Sequence, residues 1–212
     1  MSRLALSPLP LHGLFRVQRQ RAADERGFFE RMFCTHELAA AGWTAPVAQI
    51  NHSHTDQRGS LRGMHYQRPP HAEMKLVSCL HGEVWDVAVD LRHGSPTFLQ
   101  WHAERLSADN GCALLIPPGF AHGFQALCDH AALLYCHSTA YAPTAEAGLH
   151  PLDPRLGIAW PLPVGSLSPR DAGQTLLPDD FEGVRLCSAA TAAACCNCRS
   201  WTWAALRRPM PT

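Results

Sequence analysis

The sequence predicts an all-β fold of the barrel or sandwich kind, on three observations. Short apolar and β-branched runs recur between Pro46 and Tyr141, turn chemistry separates each run from the next, and helical patterns are scarce. With 46% hydrophobic and 17% charged residues, the 212-residue chain has the composition of a globular protein with a sizeable core.

The elements follow in chain order. Thr35 to Gly42 reads as a short helix, with Thr35 as N-cap, alanines inside and Gly42 as terminator. Strands are expected over Val47 to Ser53, Leu61 to Tyr66, Met74 to Leu80, Glu83 to Leu91, Phe98 to Leu106, Ala113 to Ile116, His122 to Leu127 and Ala132 to Thr139. The turns between them are Asp56 to Gly59, His81-Gly82, His93 to Pro96, Asp109-Asn110-Gly111, Pro117-Pro118-Gly119 and Asp129-His130, so the strands pair antiparallel. Along Glu83 to Leu91, the residues Val84, Asp86, Ala88 and Asp90 share one face. That face is either a polar barrel interior or an exposed surface. From Ala142 to Gly183 the chain is rich in Pro and Gly and reads as a wrapping segment. Residues 187–212 change composition abruptly, to alanines with Cys195, Cys196 and Cys198, and are expected to be a separate, disordered or atypical tail behind a domain of residues 1–186.

Eighteen basic residues balance 18 acidic ones, and a single residue among the basic ones, Lys75, is a lysine. Zero net charge without a basic cluster argues against nucleic acid as a partner, and the absence of a long apolar stretch argues against a membrane span. The chain has nine cysteines, an odd number; Cys34, Cys79, Cys112, Cys128 and Cys136 are scattered through apolar surroundings without C-x-x-C pairing and read as small core residues in a reducing cytoplasm.

Gly111, Pro117, Gly119 and His122 fit G-x5-P-x-G-x2-H, the second signature of the cupin barrels. A hairpin glycine, a strand and a Pro-Gly turn place His122 at the start of a cavity-facing strand. The first signature is broken, since His65-Tyr66-Gln67 carries Gln for a second His, and Lys75 follows Glu73; an ammonium there opposes a divalent cation. A cupin-like barrel with a few short helices and no metal is the expectation. His65 and His122 fall on strands that pair in such a barrel. Lys75 is the one cation not written as arginine, which points to a position where a guanidinium does not serve.

The runs Ser60 to Gln67, Val84 to Phe98, Gly119 to Phe124 and Leu167 to Asp171 together resemble the dTDP-4-dehydrorhamnose 3,5-epimerase family, from about Gly13 to Gly183 in unbroken order. The resemblance implies an all-β cupin-type jelly-roll β-barrel, a homodimer, a dTDP-linked 4-keto sugar as substrate, and no metal or organic cofactor. It implies epimerisation of dTDP-4-dehydro-6-deoxy-D-glucose at C3 and C5 to dTDP-4-dehydro-L-rhamnose, for cell-surface polysaccharide synthesis. It places His65 as base, Asp171 as its partner, Tyr135 as acid and Lys75 as the principal enolate donor, with Arg62 and His122 nearby. It further implies Tyr141 as the nucleobase-stacking ring, Gln49 and Asn51 as nucleoside contacts, Arg26 and Phe29 as part of the segment reaching the diphosphate, and Arg170 as a further anion contact.

One departure stands out. Arg31 occupies the place where the family carries Glu, with Glu30 one residue early, which opens a shifted nucleotide preference. Alternatives remain: epimerisation at one carbon only, a metal-dependent cupin dioxygenase using His65, His71, Glu73 and His122, a Schiff base on Lys75, or a non-catalytic sugar-nucleotide binder.

Overall fold

The computed structural model describes residues 2–186; the expected tail lies outside the described residues. Thirteen strands and two four-residue helices occur in the order β1 (Leu4–Pro8), β2 (Phe15–Arg19), β3 (Ala22–Asp24), β4 (Gly27–Phe29), α1 (Thr35–Leu38), β5 (Gln49–Thr55), β6 (Leu61–Gln67), β7 (Lys75–His81), β8 (Glu83–Asp90), β9 (Trp101–Ser107), β10 (Cys112–Ile116), β11 (Phe120–Ala126), β12 (Ala131–His137), β13 (Glu146–Gly148) and α2 (Pro169–Ala172). The first sheet has the order β1-β2-β10-β7-β12-β5, the second β13-β6-β11-β8-β9, and β3-β4 form a separate two-stranded hairpin. The two large sheets face each other as the jelly-roll barrel expected.

Strand alternation distributes three layers of apolar side chains. Val77, Leu114 and Leu133 of the first sheet meet Val84, Ala88, Phe120 and Phe124 of the second in the barrel interior. The outer face of the second sheet is covered by the wrapping segment through Leu149, Leu156, Leu177 and Val184. Leu38 and Trp43 cover the outer face of the first sheet over Val17, Leu76 and Leu115. Each such leucine, taken out of water, contributes about 1.5–3 kcal/mol.

The eight expected strands all form, with ends displaced by a few residues. The largest displacement is at β9, which begins at Trp101 rather than Phe98. Asp90 explains it: its carboxylate accepts hydrogen bonds from Arg92 Nε at 2.9 Å, Ser95 Oγ at 2.5 Å and Thr97 Oγ1 at 2.6 Å. That holds the chain after β8 in a capped loop, and Leu99 leaves it at a φ of 60°. The helix starts one residue earlier than expected, with Cys34 as an N-cap that makes no side-chain bond; it tightens to a 3-10 turn over Ala39–Ala41 and stops at Gly42. Strands β1 to β4 had no counterpart in the sequence reading. The β8 face carrying Val84, Asp86 and Ala88 is interior, not exposed.

Candidate active site

The cavity lies between the two sheets, has a volume of about 970 Å³, and is closed along one rim by residues 166–171. Lys75, Tyr135 and His137 reach it from β7 and β12 of the first sheet, with Gln49, Asn51 and Ser53 at its β5 edge. Arg62, His65 and His122 reach it from β6 and β11 of the second.

His65 and His122 are direct cross-strand partners. The strands come this close because both carry glycine at the crossing. A Cβ on Gly63 would lie 2.6 Å from Gly123 Cα, and one on Gly123 would lie 2.7 Å from the Arg62 carbonyl oxygen. Upstream of His122, Gly119 turns the chain at a φ of 84° after Pro117-Pro118, as its motif requires.

Two imidazole–carboxylate pairs result. His65 Nε2 lies 2.6 Å from Asp171 Oδ1, while Asp171 Oδ2 accepts the Gly63 amide at 3.3 Å. Asp171 is set by α2, whose N-cap Ser168 accepts the Asp171 amide at 3.0 Å. Burial pushes the Asp171 carboxyl up, but the His65 bond, its charge and the Gly63 amide outweigh burial and hold it below the ordinary value. His122 lines the cavity, and its Nε2 lies 2.9 Å from Asp86 Oδ2 behind it. Asp86 is wholly buried, its Oδ1 has no partner, and desolvation raises its pKa despite His122.

On the facing wall, Tyr135 Oη lies 3.1 Å from Ser53 Oγ and its ring packs edge-on to His122 at 6.0 Å between centroids. Burial pushes this phenol above its ordinary value, so it stays protonated. Lys75 Nζ is 2.8 Å from Glu73 Oε1, and Glu73 Oε2 accepts from Gln67 at 2.6 Å with His137 Nδ1 3.6 Å away. Desolvation raises the Glu73 carboxyl, but His137 and Lys75 together bring it below the usual range.

Toward the mouth, Gln49 Oε1 accepts the Tyr141 amide at 3.0 Å and Gln49 Nε2 bonds Asn51 Oδ1 at 3.0 Å. Tyr141 Oη and Arg170 both bond Glu146. Arg62 is tied to Thr55 Oγ1 at 3.0 Å and to the His54 carbonyl at 2.9 Å.

The cavity thus gathers the expected site residues except Arg26 and Phe29. These sit on the β3-β4 hairpin away from it, where Arg26 pairs with Asp24 at 2.5 Å and Phe29 is 66% exposed. Glu30 and Arg31 are also committed elsewhere, Glu30 to Arg19 and Arg21 and Arg31 to Glu37. Sequence reasoning gave no part in epimerisation to Glu73, His137, Ser53, Asp86 or Glu146, and Glu73 entered only as a ligand in the metal-dependent alternative. His137 and Ser53 were within reach of the period-2 rule, since they share strand faces with Tyr135 and Asn51.

An imidazole held by a carboxylate on one wall and a neutral phenol on the other form a pair of groups able to take and give protons on opposite faces of a carbon beside a carbonyl, set in a cupin-type barrel. The family model for dTDP-4-dehydrorhamnose 3,5-epimerase matches residues 8–179. The chain belongs to that family, whose members are isomerases. A dTDP-4-dehydrorhamnose 3,5-epimerase of Streptomyces griseus is 43% identical over 74% of this chain and 78% of its own length. A dTDP-4-dehydrorhamnose 3-epimerase of Streptomyces niveus is 39% identical over 90% of this chain and 92% of its own. Among solved structures, the dTDP-6-deoxy-D-glucose-3,5-epimerase of Legionella pneumophila in complex with dTDP-4-keto-L-rhamnose superposes with a TM-score of 0.80 at 41% identity, covering 87% of this chain and 100% of that one.

Proposed function

We propose that the protein epimerises dTDP-4-dehydro-6-deoxy-D-glucose at C3 and C5 to dTDP-4-dehydro-L-rhamnose, using its own side chains throughout. The observation that carries this reading is the placement of His65–Asp171 and Tyr135 on opposing walls of one cavity. Asp171 accepts the Nε2 proton and leaves Nδ1 of His65 free to take the weakly acidic proton beside the ketone. Lys75, with Arg62 and His122, holds the enolate oxygen, and donors of this kind are worth about a hundred- to a thousandfold each. Tyr135 returns a proton from the far face, which inverts the centre.

Gln49, Asn51, Tyr141 and Arg170 bind the nucleotide end at the mouth. The β3-β4 hairpin, with Phe28 57% and Phe29 66% exposed, fits a homodimer in which Arg26 and Phe29 act in the partner's cavity. Residues 1–186 form the catalytic domain in this reading, and a chain ending at Leu186 retains turnover. Among the described residues no helix is long and apolar enough to cross a membrane. Five free cysteines among them favour a reducing cytoplasm.

A single-carbon epimerase is the second reading, favoured by the similarity to the Streptomyces niveus 3-epimerase. Turnover in deuterated water decides between them: deuterium at both C3 and C5 supports double epimerisation, and deuterium at one position only sinks it.

A further inference from the structure

Beyond the residues used for epimerisation, a second cluster of ligating side chains converges where edge strand β5 ends. His54 Nε2 lies 3.2 Å from Asp56 Oδ1, and His130 Nδ1 lies 4.0 Å from the same oxygen. The two imidazoles stack with centroids 5.6 Å apart and planes 26° from parallel. One donor atom from each residue falls within 4.8 Å of the others. Zinc bonds of about 2.0–2.1 Å give a tetrahedral edge of roughly 3.3 Å, so rotamer adjustments of about 1 Å would close these three atoms around one ion.

The backbone beneath the cluster is cross-tied. The β11-β12 turn donates the His130 amide to the Asp56 carbonyl at 3.1 Å, and the β5-β6 turn donates the Arg58 amide to Asp129 Oδ1 at 2.8 Å. Arg58 Nε bonds the Leu127 carbonyl at 3.0 Å, and His81 Nδ1 bonds the His130 carbonyl at 2.9 Å. His130 also holds a φ of 58°, a backbone state that a non-glycine residue adopts where its surroundings impose it. The end of β5 and two turns that cross between the sheets therefore present the three ligands from a tied frame.

We propose that His54, Asp56 and His130 form a surface site for a divalent transition-metal ion of the zinc type. Two imidazoles and one carboxylate suit zinc far better than magnesium or calcium, which seek oxygen alone. All three residues are exposed, so the remaining coordination positions stay open to water beside the mouth of the cavity that Asp56 also lines. Neither imidazole belongs to the epimerisation machinery; the part of His54 that supports Arg62 is its backbone carbonyl.

The test is calorimetric titration of the full-length protein with Zn2+, beside His54→Ala, His130→Ala and the double variant. The parent is expected to bind one equivalent more than the double variant, and each single substitution to weaken that equivalent at least tenfold, with metal-free turnover unchanged. Identical stoichiometry and affinity in parent and double variant overturn the site. Because Cys195, Cys196 and Cys198 also attract zinc, the titration is repeated with Co2+. The equivalent that distinguishes the parent from the double variant should lack the sulfur-to-metal charge-transfer band of thiolate-bound cobalt; if that equivalent carries the band, the assignment is refuted.

Discussion

Glu73 Oε1 lies 2.8 Å from Lys75 Nζ in a salt bridge, and each residue is only 9% exposed. The one lysine of the chain is therefore not a free cation in the cavity but half of a buried ion pair, aimed by a carboxylate that His137 and Gln67 also hold. Removing one partner of such a pair leaves an uncompensated buried charge, at a cost of about 3–5 kcal/mol. Glu73→Ala is expected to lower unfolding stability by about that amount. Glu73→Gln combined with Lys75→Met should recover most of it in urea titrations while leaving turnover low. A double variant as unstable as Glu73→Ala would argue against a charge effect.

Lys75→Arg keeps the charge but replaces a compact ammonium by a planar fork that does not fit the same geometry beside Glu73. Turnover is expected to fall about a hundredfold with KM changed much less, the signature of a donor that acts on developing charge. Full turnover in steady-state assays would show the lone lysine to be accidental.

Asp171→Asn keeps the shape of the His65 contact and removes its charge. The imidazole then loses both its fixed tautomer and the partner that stabilises its protonated form, and kcat should drop by about two to four orders of magnitude. A variant within fivefold of the parent enzyme would remove the dyad from the mechanism.

Tyr135→Phe separates the two proton transfers. Base-side exchange by His65 should continue, so substrate protons wash out into deuterated water, while inverted product falls away. Loss of exchange and inversion together would place Tyr135 in the first step instead.

Acid stability is set in part far from the cavity. Glu37 accepts the Arg3 amide at 2.9 Å, the Leu4 amide at 2.7 Å and the Ser2 hydroxyl at 2.9 Å, and it also pairs with Arg31. Desolvation pushes its carboxyl up, but these donors bring it down from 4.5 to about 2. A depressed carboxylate stabilises the fold fully above its unfolded value and loses that contribution as pH falls toward the folded one. Urea midpoints should therefore decline between pH 4.5 and about 2 in the parent, and Glu37→Gln should reduce that decline while lowering the midpoint at neutral pH. Equal slopes for both proteins would assign the acid sensitivity elsewhere.

The strands from β5 to β12 were legible because turn residues bracket apolar runs, and the convergence of His65, Lys75, His122 and Tyr135 on one cavity because motif and strand face agree there. The N-terminal strands were not. Pro8 ends β1, which is the outer strand of its sheet, where a missing amide donor is tolerated and local pattern says little. The partnerships of Glu73 with Lys75 and of Asp86 with His122 needed the third dimension, since no local spacing announces which carboxylate a buried cation or imidazole will meet.

The crossing of Gly63 over Gly123 bears on how the site can be changed. The spacing of the two cavity imidazoles is set at a point with no side chain on either strand and no room for one. Redesign of the second sheet by substitution at that point is closed. Substitutions meant to reshape the cavity have side chains to work with elsewhere, on β5, β7 and β12 across from that crossing and in the segment that carries Asp171.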